Sequence, residues 1–338
     1  MKNLYKIIMM TVMISGSLIA VSSHTWLGMW IGLEINLLAI IPLFSESNNK
    51  LSAESAIKYF IIQAMASSMF LFAVIMMSMY NSNPDKLINM NVLMMILNSS
   101  LLTKMGAAPF HFWFPEIMEG LNWMNCLMLM TWQKLAPMAI MTYNIKPSLF
   151  MSIIIISSMV ISGIMGINQT SMRKILAFSS INHIAWMISS MLFNVSIWIM
   201  YFLVYTIISI NIILFLNSMK IYLVKQLFIS MNKNSIIKIL FIFNFLSLGG
   251  LPPFLGFMPK WFTIQVMISN QFFLLAFMMV MLTLITLYFY TRMTFSSLIM
   301  AINEPKWINN MYINYSMITL NFITLTGLIF ITLMFNWF

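Results

Sequence analysis

The chain has 338 residues, of which 61% are hydrophobic and 7% are charged, and its mean hydropathy is +0.93. This composition excludes a soluble globular protein and is typical of an integral membrane protein. The net charge of +10 comes without an arginine-rich or aromatic-interleaved run, so nucleic-acid binding is excluded as well. The apolar segments are apolar throughout rather than alternating, which favours membrane-spanning helices over the strands of a β-barrel.

Eleven apolar segments follow one another along the chain, and each is predicted to form a membrane-spanning helix. Their predicted bounds are 6–21, 26–44, 56–80, 89–114 with a break, 122–143, 149–167, 174–193, 196–217, 236–268 with a break, 272–298 and 312–335. No soluble domain fits between them. The sequence therefore predicts an all-α polytopic membrane protein, with one membrane domain over 1–338.

Basic residues distinguish the two sides of this predicted bundle. With the N-terminus inside, the outer joints hold only Lys86 and Lys146. The inner joints collect Lys2, Lys6, Lys50, Arg173, Lys174, Lys220, Lys225, Lys233, Lys238 and Lys306. The positive-inside rule therefore predicts an inner N-terminus and an outer C-terminus. Such a cationic inner face also predicts contact with anionic lipid, for example cardiolipin.

Ionisable residues inside the apolar segments are the strongest indication of function. They are Glu34, Lys104, Lys134 and Lys260. A charged side chain at the bilayer centre costs about 2.5 to 3.5 kcal/mol on insertion scales, so each of them needs compensation. Membrane transport of charge is the default interpretation of such residues.

Two of the segments are interrupted next to one of these lysines. Gly106 to Pro109 follow Lys104, and Gly249 to Pro253 precede Lys260. Glycine and proline release backbone groups from the helix, and at membrane depth such groups are tolerated only against protein or a wet cavity. A plain proline kink is the alternative, but a lysine accompanies both breaks. The sequence therefore predicts two broken helices beside hydrated sites.

The breaks fall in the fourth and the ninth segment, each the fourth in a run of five. Because five is odd, the second run would cross the membrane in the opposite sense, as in an inverted repeat. The predicted parts are a first repeat over 1–146, a second over 147–300, and a loop with an extra helix over 301–338. In this pairing, Glu34 of the second segment corresponds to His183 of the seventh.

Signatures of redox chemistry do not occur in the sequence. There is no Gly-rich dinucleotide fingerprint, no pair of histidines at haem spacing, and only one cysteine, Cys126. We therefore expect this chain itself to hold no cofactor and no metal.

Five motifs occur in order along the chain: GLEINLLAIIP, TKMGAAPFHFWFPE, TWQKLAP, SSINHIAWM and GGLPPFLGFMPKW. Together they resemble the NADH dehydrogenase subunit 2 family of mitochondrial respiratory complex I, in its insect-like animal form, which is an antiporter-like membrane subunit. The resemblance implies proton translocation across the mitochondrial inner membrane, with the N-terminus in the matrix and the C-terminus in the intermembrane space. It also implies partner subunits that oxidise NADH and reduce ubiquinone, and that contain FMN and iron–sulfur clusters.

The resemblance also implies roles for individual residues. The family's proton-transfer positions correspond to Glu34, Lys104, Lys134 and Lys260, and its histidine positions to His111 and His183. In physical terms, a lysine in a low-dielectric site releases its proton more readily than in water, and a nearby carboxylate retains that proton. Histidine titrates near neutral pH and suits a relay.

Lys58 is a weaker candidate. Near the start of the third segment, it is interpreted as an interfacial lysine that reaches the inner surface, and a relay role is the less favoured alternative. Glu116 and Glu119 are expected to face the same surface, where they cap a helix or pair with loop lysines. Two other functions stay open on chemistry alone: a free-standing cation/proton antiporter, and a scaffold subunit that does not pump.

Overall fold

The computed structural model describes residues 2–45, 49–80, 87–231, 235–252, 254–299, 319, 321–322 and 324–327. This described part contains fourteen α-helices, and residues 324–327 are helical as well. Most of the predicted last span over 312–335 lies outside the described residues, as do Pro253, Lys86, Lys233 and Lys306.

The helices are named here in chain order. They are α1 Lys2–Ser22, α2 Trp26–Phe44, α3 Lys50–Tyr80, α4 Leu87–Met105, α5 Trp113–Gly120, α6 Trp123–Met130, α7 Trp132–Thr142, α8 Leu149–Ile167, α9 Met172–Met191, α10 Val195–Met219, α11 Val224–Met231, α12 Ser235–Gly249, α13 Phe257–Ser269 and α14 Phe273–Ile299.

Six helices of the described part are long and apolar enough to cross a membrane: Leu4–Ser22, Trp26–Phe44, Lys50–Met79, Leu149–Ile167, Val195–Met219 and Phe273–Leu298. The prediction of an all-helical, multi-pass membrane protein is confirmed at this level. Helix α9 has 20 residues but is not among the six, because its buried serines, Asn182 and His183 make it less apolar.

The chain divides into two compact units, Met1–Ile154 and Ile155–Phe338. In the first unit, α1 lies along α2, and α7 packs against α1, α2 and α4. Helices α1 and α2 approach closely because Gly32 of α2 has no side chain. A Cβ at Gly32 would lie 2.5 Å from the backbone nitrogen of Ala20 on α1. Small residues permit such backbone contact between membrane helices. Helix α3 packs against α2, α4 and α5.

In the second unit, α9 is the central helix. It packs against α10, α13 and α14, and its residues from Ile175 to Met191 are buried. Polar side chains on a helix buried this completely need protein partners, so α9 is where a polar site would form in this unit.

The structure differs from the prediction in two places: the fifth predicted span is interrupted, and a predicted loop contains a helix. The uninterrupted helix predicted over 122–143 is wrong at Thr131, which separates α6 from α7. Both the N–H and the hydroxyl of Thr131 donate to the carbonyl oxygen of Leu127, at 3.0 and 2.8 Å. This type of back-bonding by threonine bends helices, and Pro137 removes a further N–H from α7.

The second difference is α11, which lies where a loop was predicted. It is amphipathic: Leu227 is buried, whereas Lys225 and Gln226 are exposed. Two backbone hydrogen bonds tie its start to the segment before α9, from Met172 N to Tyr222 O at 2.9 Å and from Val224 N to Thr170 O at 3.1 Å. A short helix with one apolar face is suited to a membrane surface.

Candidate functional site

The first predicted break lies where α4 ends. Gly106 has φ +77°, a left-handed conformation that favours glycine. The N–H of Ala107 donates to Leu102 O at 3.0 Å and that of Gly106 to Thr103 O at 3.2 Å. This is the hydrogen-bond pattern of a Schellman motif, which satisfies the last carbonyls of a helix. The predicted interruption at Gly106 is confirmed.

Side chains also donate to two carbonyls of the same helix end, Thr103 O and Lys104 O. Trp113 Nε1 donates to Thr103 O at 3.1 Å, and Gln63 Nε2 donates to Lys104 O at 3.3 Å. Gln63 lies on α3 and Trp113 starts α5, so elements on both sides of the break hold the last turn of α4 in place. Lys104 is therefore presented by a rigid helix end inside the unit.

Lys104 is buried, with 7% of its surface exposed. Among the described residues, no carboxylate lies within salt-bridge distance of its ammonium, but Glu34 on α2 interacts with it electrostatically. Glu34 Oε1 is itself buried and has no hydrogen-bond partner in the described part of the chain. The pair is thus coupled through space without being locked together by a direct contact.

A small polar cavity adjoins Lys104. Its walls are Leu33, Asn36, Leu37, Tyr59, Gln63, Lys104, Gln133 and Pro137. Gln133 accepts a hydrogen bond from the Tyr59 hydroxyl at 3.1 Å and donates one to Asn36 Oδ1 at 2.9 Å. These uncharged residues were not singled out in the sequence, although amides inside apolar segments are themselves a polar signal.

Lys134 and His111 are the other predicted site residues of the first unit. Lys134, on α7, is 1% exposed, and its Nζ lies 5.1 Å from the ring centroid of Phe114. A cation over an aromatic face gains electrostatic stabilisation without a counter-charge. His111 is buried in the loop between α4 and α5, where Nδ1 lies 3.3 Å from Pro109 O and the ring packs on Phe112.

The second break repeats the geometry of the first. Gly250 has φ +76°, the N–H of Leu251 donates to Leu246 O at 3.3 Å, and that of Gly250 to Ser247 O at 3.0 Å. Helix α12 therefore also ends in a Schellman motif. Lys260, on α13, is 6% exposed and donates from Nζ to Gly249 O at 2.8 Å.

This bond places the Lys260 ammonium at the C-terminal end of α12, where the helix dipole favours a positive charge. The same Nζ lies 5.9 Å from the ring centroid of Trp186 on α9. One turn before Trp186, His183 Nδ1 and the Tyr201 hydroxyl are hydrogen-bonded at 2.9 Å, and the Tyr205 ring lies 5.1 Å from the imidazole. Lys260 thus lies near Trp186, which is one turn after His183 on the central helix of the second unit.

Lys58 is placed differently from the buried lysines. Its side chain is 44% exposed, and Nζ lies 3.0 Å from Glu54 and 3.3 Å from Glu116. The partner of Glu116 is thus a lysine on α3, and the expectation of a loop lysine is wrong for this residue. Groups of His, Cys, Asp or Glu able to hold a metal ion are not found in the described part.

Comparison with known proteins decides the family. Residues 23–286 match the family described as NADH:quinone oxidoreductase/Mrp antiporter, TM. A relative from Anopheles gambiae, named NADH-ubiquinone oxidoreductase chain 2, is 48% identical over 342 residues, which cover 99% of each chain. The chain belongs to the NADH-ubiquinone oxidoreductase chain 2 family. A second member, from Aedes aegypti, is 49% identical over 99% of each chain.

The fold of the present chain, a member of the chain 2 family, is also found in a solved structure. It is a chain of respiratory complex I from Thermus thermophilus with bound Aureothin, similar at a TM-score of 0.86 and 20% sequence identity. The match covers 98% of this chain and 79% of that one. The family resemblance inferred from the five motifs is confirmed by these relatives.

Within this chain 2 sequence, the structure brings together only some of the predicted site residues. Glu34 and Lys104 interact in the first unit, whereas in the second unit Lys260 lies near Trp186 and His183 bonds Tyr201. Lys58 lies apart from both groups in an exposed ion triad. The residues missed by sequence reasoning are the amides and the tyrosine that complete the cavity beside Lys104.

Proposed function

We propose that this chain is the antiporter-like core subunit of mitochondrial respiratory complex I, and that it transfers protons across the inner membrane. It works as part of an NADH:ubiquinone reductase that translocates protons, and it contains no redox centre itself. Partner subunits oxidise NADH, hold FMN and iron–sulfur clusters, and reduce ubiquinone. Membership of the chain 2 family supports this assignment.

The pairing of Glu34 with Lys104 is the observation that carries the proposal. A buried lysine that faces a polar cavity and senses a carboxylate without touching it can change its protonation when the carboxylate moves. Glu34 is the switching group: when close, it retains the Lys104 proton, and when distant, it permits release. Each proton must be moved against a potential worth about 2.3 kcal/mol per 100 mV.

Lys134 and Lys260 continue proton transfer within their own units, with His111 and His183 as relay groups. The bond from Lys260 Nζ to Gly249 O stabilises the charged lysine, and the His183–Tyr201 hydrogen bond orients the imidazole. Lys58 has the weakest claim to a relay role, because its two carboxylate neighbours and its exposure are those of a surface ion cluster.

The proposed topology has eleven spans. Six spans are the long apolar helices, and a seventh is α9. The broken pairs α4–α5, α6–α7 and α12–α13 count as one span each, and the last span covers 312–335. The two runs of five form an inverted repeat over 1–146 and 147–300, followed by 301–338. The matching Schellman motifs at Gly106 and Gly250 support that pairing.

The proposed orientation places the N-terminus in the matrix and the C-terminus in the intermembrane space. The excess of basic residues in alternate joints supports it. On the matrix side, exposed Lys220, which precedes α11, and exposed Lys225, which lies on α11, bind anionic lipid, for example cardiolipin. Other complex I subunits cover further parts of the bundle.

The proposal is tested with Lys104→Met in the intact complex, reconstituted in sealed vesicles. Lys50→Met, which removes an exposed lysine from the same unit, is the matched control. We expect the Lys104 variant to pump fewer protons per NADH oxidised, while the control pumps normally. Normal stoichiometry in an assembled Lys104→Met complex would support the scaffold function, and sodium/proton exchange by the chain alone would support a free-standing antiporter.

A further inference from the structure

The helical residues 321–322 and 324–327, called here the C-terminal segment, present a small and polar face to the second unit. Asn321, Thr324 and Gly327 are buried, whereas Phe322 is exposed. Residues three positions apart lie on the same face of a helix, so the three buried residues form one contact surface. Their contacts show what this surface holds.

The first contact is made by two amides. Asn321 Oδ1 accepts a hydrogen bond from Nδ2 of Asn244, which lies on α12 and is buried. The Thr324 hydroxyl donates to Asn321 O at 2.9 Å, and its oxygen lies 3.3 Å from Asn244 Oδ1. Both ends of the Asn244 amide therefore face the C-terminal segment. Because an unpaired buried amide is costly, these bonds fix where the segment docks on α12.

The second contact lies beyond the break. A Cβ on Gly327 would overlap Leu255 Cδ1 and lie 3.3 Å from Cγ, so the backbone of the segment rests directly on Leu255. Leu255 is buried in the loop that joins α12 to α13. The next residue, Gly256, lies against the last turn of α12, since a Cβ there would overlap Ser247 O. The loop thus contacts the C-terminal segment through one residue and the end of α12 through the next.

The two contacts lie on either side of the bond that holds Lys260. Asn244 is little more than one turn before Gly249, whose carbonyl oxygen accepts from Lys260 Nζ at 2.8 Å. Leu255 precedes α13, the helix that carries Lys260. A shift of α12 relative to the loop would change the distance from Nζ to the carbonyl oxygen. The segment contacts both parts and therefore controls that distance.

The end of α12 needs support that does not depend on its lysine. At the first break, Gln63 of α3 and Trp113 of α5 donate to the last carbonyls of α4. At the second break, Gly249 O accepts from Lys260 itself, so movement of the lysine would remove a partner from the helix end. The C-terminal segment holds α12 and the loop through other atoms, which stay in place when the lysine moves.

We propose that the C-terminal segment positions the second broken helix, and that Asn321 and Gly327 keep Gly249 O within reach of the Lys260 ammonium. Both residues are positioning residues, because they act through α12 and the loop. The consequence for pumping rests on the proposed role of Lys260, whereas the position of the carbonyl does not. An ordinary contact between helices is the alternative, and it would stabilise the unit without setting the distance to Lys260.

Two substitutions attack the two contacts separately. Asn321→Leu replaces the amide by an apolar side chain of similar size and leaves Asn244 Nδ2 without its acceptor. Gly327→Val inserts a side chain into the space that Leu255 occupies. Combining Gly327→Val with Leu255→Ala is the rescue variant, because it removes as many carbon atoms as the valine adds.

Thr324→Val and Thr326→Val form a matched pair, in which the same change of shape removes one hydroxyl. The hydroxyl of Thr324 faces Asn244, whereas that of Thr326 donates to Phe322 O of its own helix at 2.8 Å. Thr326→Val is therefore the control. Each variant is prepared as the intact complex, and its assembly is checked before any other measurement.

The first measurement is the distance from Lys260 Nζ to Gly249 O in cryo-EM maps of these complexes. We expect the native and control complexes to keep the bond, and Asn321→Leu and Gly327→Val to lengthen it beyond the usual limit of about 3.2 Å. The rescue variant should shorten it again. An unchanged distance in both variants would overturn the proposal. If one variant fails to assemble, the other decides, and Thr324→Val decides if both fail.

The second measurement compares proton pumping in vesicles with the thermal inactivation temperature. Loss of one hydrogen bond should slow pumping about two- to tenfold in Asn321→Leu and Gly327→Val, with recovery in the rescue variant. A lower inactivation temperature with native pumping would identify a merely structural contact and refute the positioning role. A native rate in Lys260→Met would instead refute the proposed function of that lysine, and the distances in the maps would still decide whether the segment positions Gly249 O.

Discussion

Replacing Gly250 by alanine tests how the second broken helix holds its lysine. A Cβ at this position would lie 2.8 Å from Lys260 Cδ and 2.9 Å from Nζ. Ordinary contacts between such atoms need about 3.5 to 4.0 Å, so the lysine must retreat by roughly 0.6 to 1.2 Å. Its bond to Gly249 O, now 2.8 Å, would then exceed the usual limit of about 3.2 Å.

Two energies change in Gly250→Ala. The left-handed backbone costs alanine about 1 to 2 kcal/mol. The lost charged hydrogen bond removes about 1.5 to 3 kcal/mol, which corresponds to about a ten- to hundredfold lower population of Lys260 at the end of α12. Proton pumping should fall with that population.

Gly106→Ala is the matched control for Gly250→Ala. It has the same backbone angle within one degree, φ +77° against +76°, so the backbone cost is the same. The added Cβ would meet Phe114 and Trp113 instead, at 3.2 and 3.3 Å, and leave Lys260 untouched.

The assay combines thermal inactivation of the purified complex with cryo-EM of both variants and pumping in vesicles. We expect both to inactivate at lower temperature, and only Gly250→Ala to separate Lys260 Nζ from Gly249 O. An intact bond at 2.8 Å in Gly250→Ala, with pumping no lower than in Gly106→Ala, would refute this reasoning.

Two further predictions concern single side chains in the intact complex. Lys58→Met should change the thermal inactivation temperature only slightly, because solvent screens exposed ion pairs, and it should leave pumping unchanged; a clear pumping defect would restore the relay role. Tyr201→Phe removes the hydroxyl that bonds His183 Nδ1, and it should alter the pH profile of pumping while NADH oxidation by artificial acceptors stays normal.

The broken helices could be predicted from sequence because their cause is local. Gly106 and Gly250 adopt left-handed backbone angles that only glycine accepts readily, and the prolines nearby prevent the helix from continuing. The burial of Lys104, Lys134 and Lys260 was likewise predictable, since each is surrounded in sequence by apolar residues. At these positions, the neighbouring residues alone determine both where the helix ends and whether the lysine is buried.

Other features depend on packing between distant segments and gave no local signal. Glu116 pairs with Lys58 of α3 across 58 positions of sequence, whereas the sequence suggested helix capping or a loop lysine as its partner. The break at Thr131 arises from a hydroxyl that bonds its own helix, and threonine often does this without a break. The cavity beside Lys104 needs Gln133 and Asn36, 97 positions apart, to meet.

The two buried lysines at the breaks are held in different ways. Lys104 faces a polar cavity and senses Glu34 at a distance, whereas Lys260 is bonded to a helix carbonyl and lies by an aromatic ring. A mobile carboxylate can be a switch, but a backbone carbonyl at a fixed helix end cannot. In this account, Glu34 therefore controls Lys104, and Lys260 responds to changes that reach its own unit.

The most direct test of the account is a double-mutant cycle on proton pumping. Glu34→Gln, Lys104→Met and the combined variant are compared in assembled complexes for protons pumped per NADH oxidised. If Glu34 acts through Lys104, the double variant should pump as poorly as Lys104→Met alone and no worse. Additive losses in the double variant, or native stoichiometry in both single variants, would contradict the account.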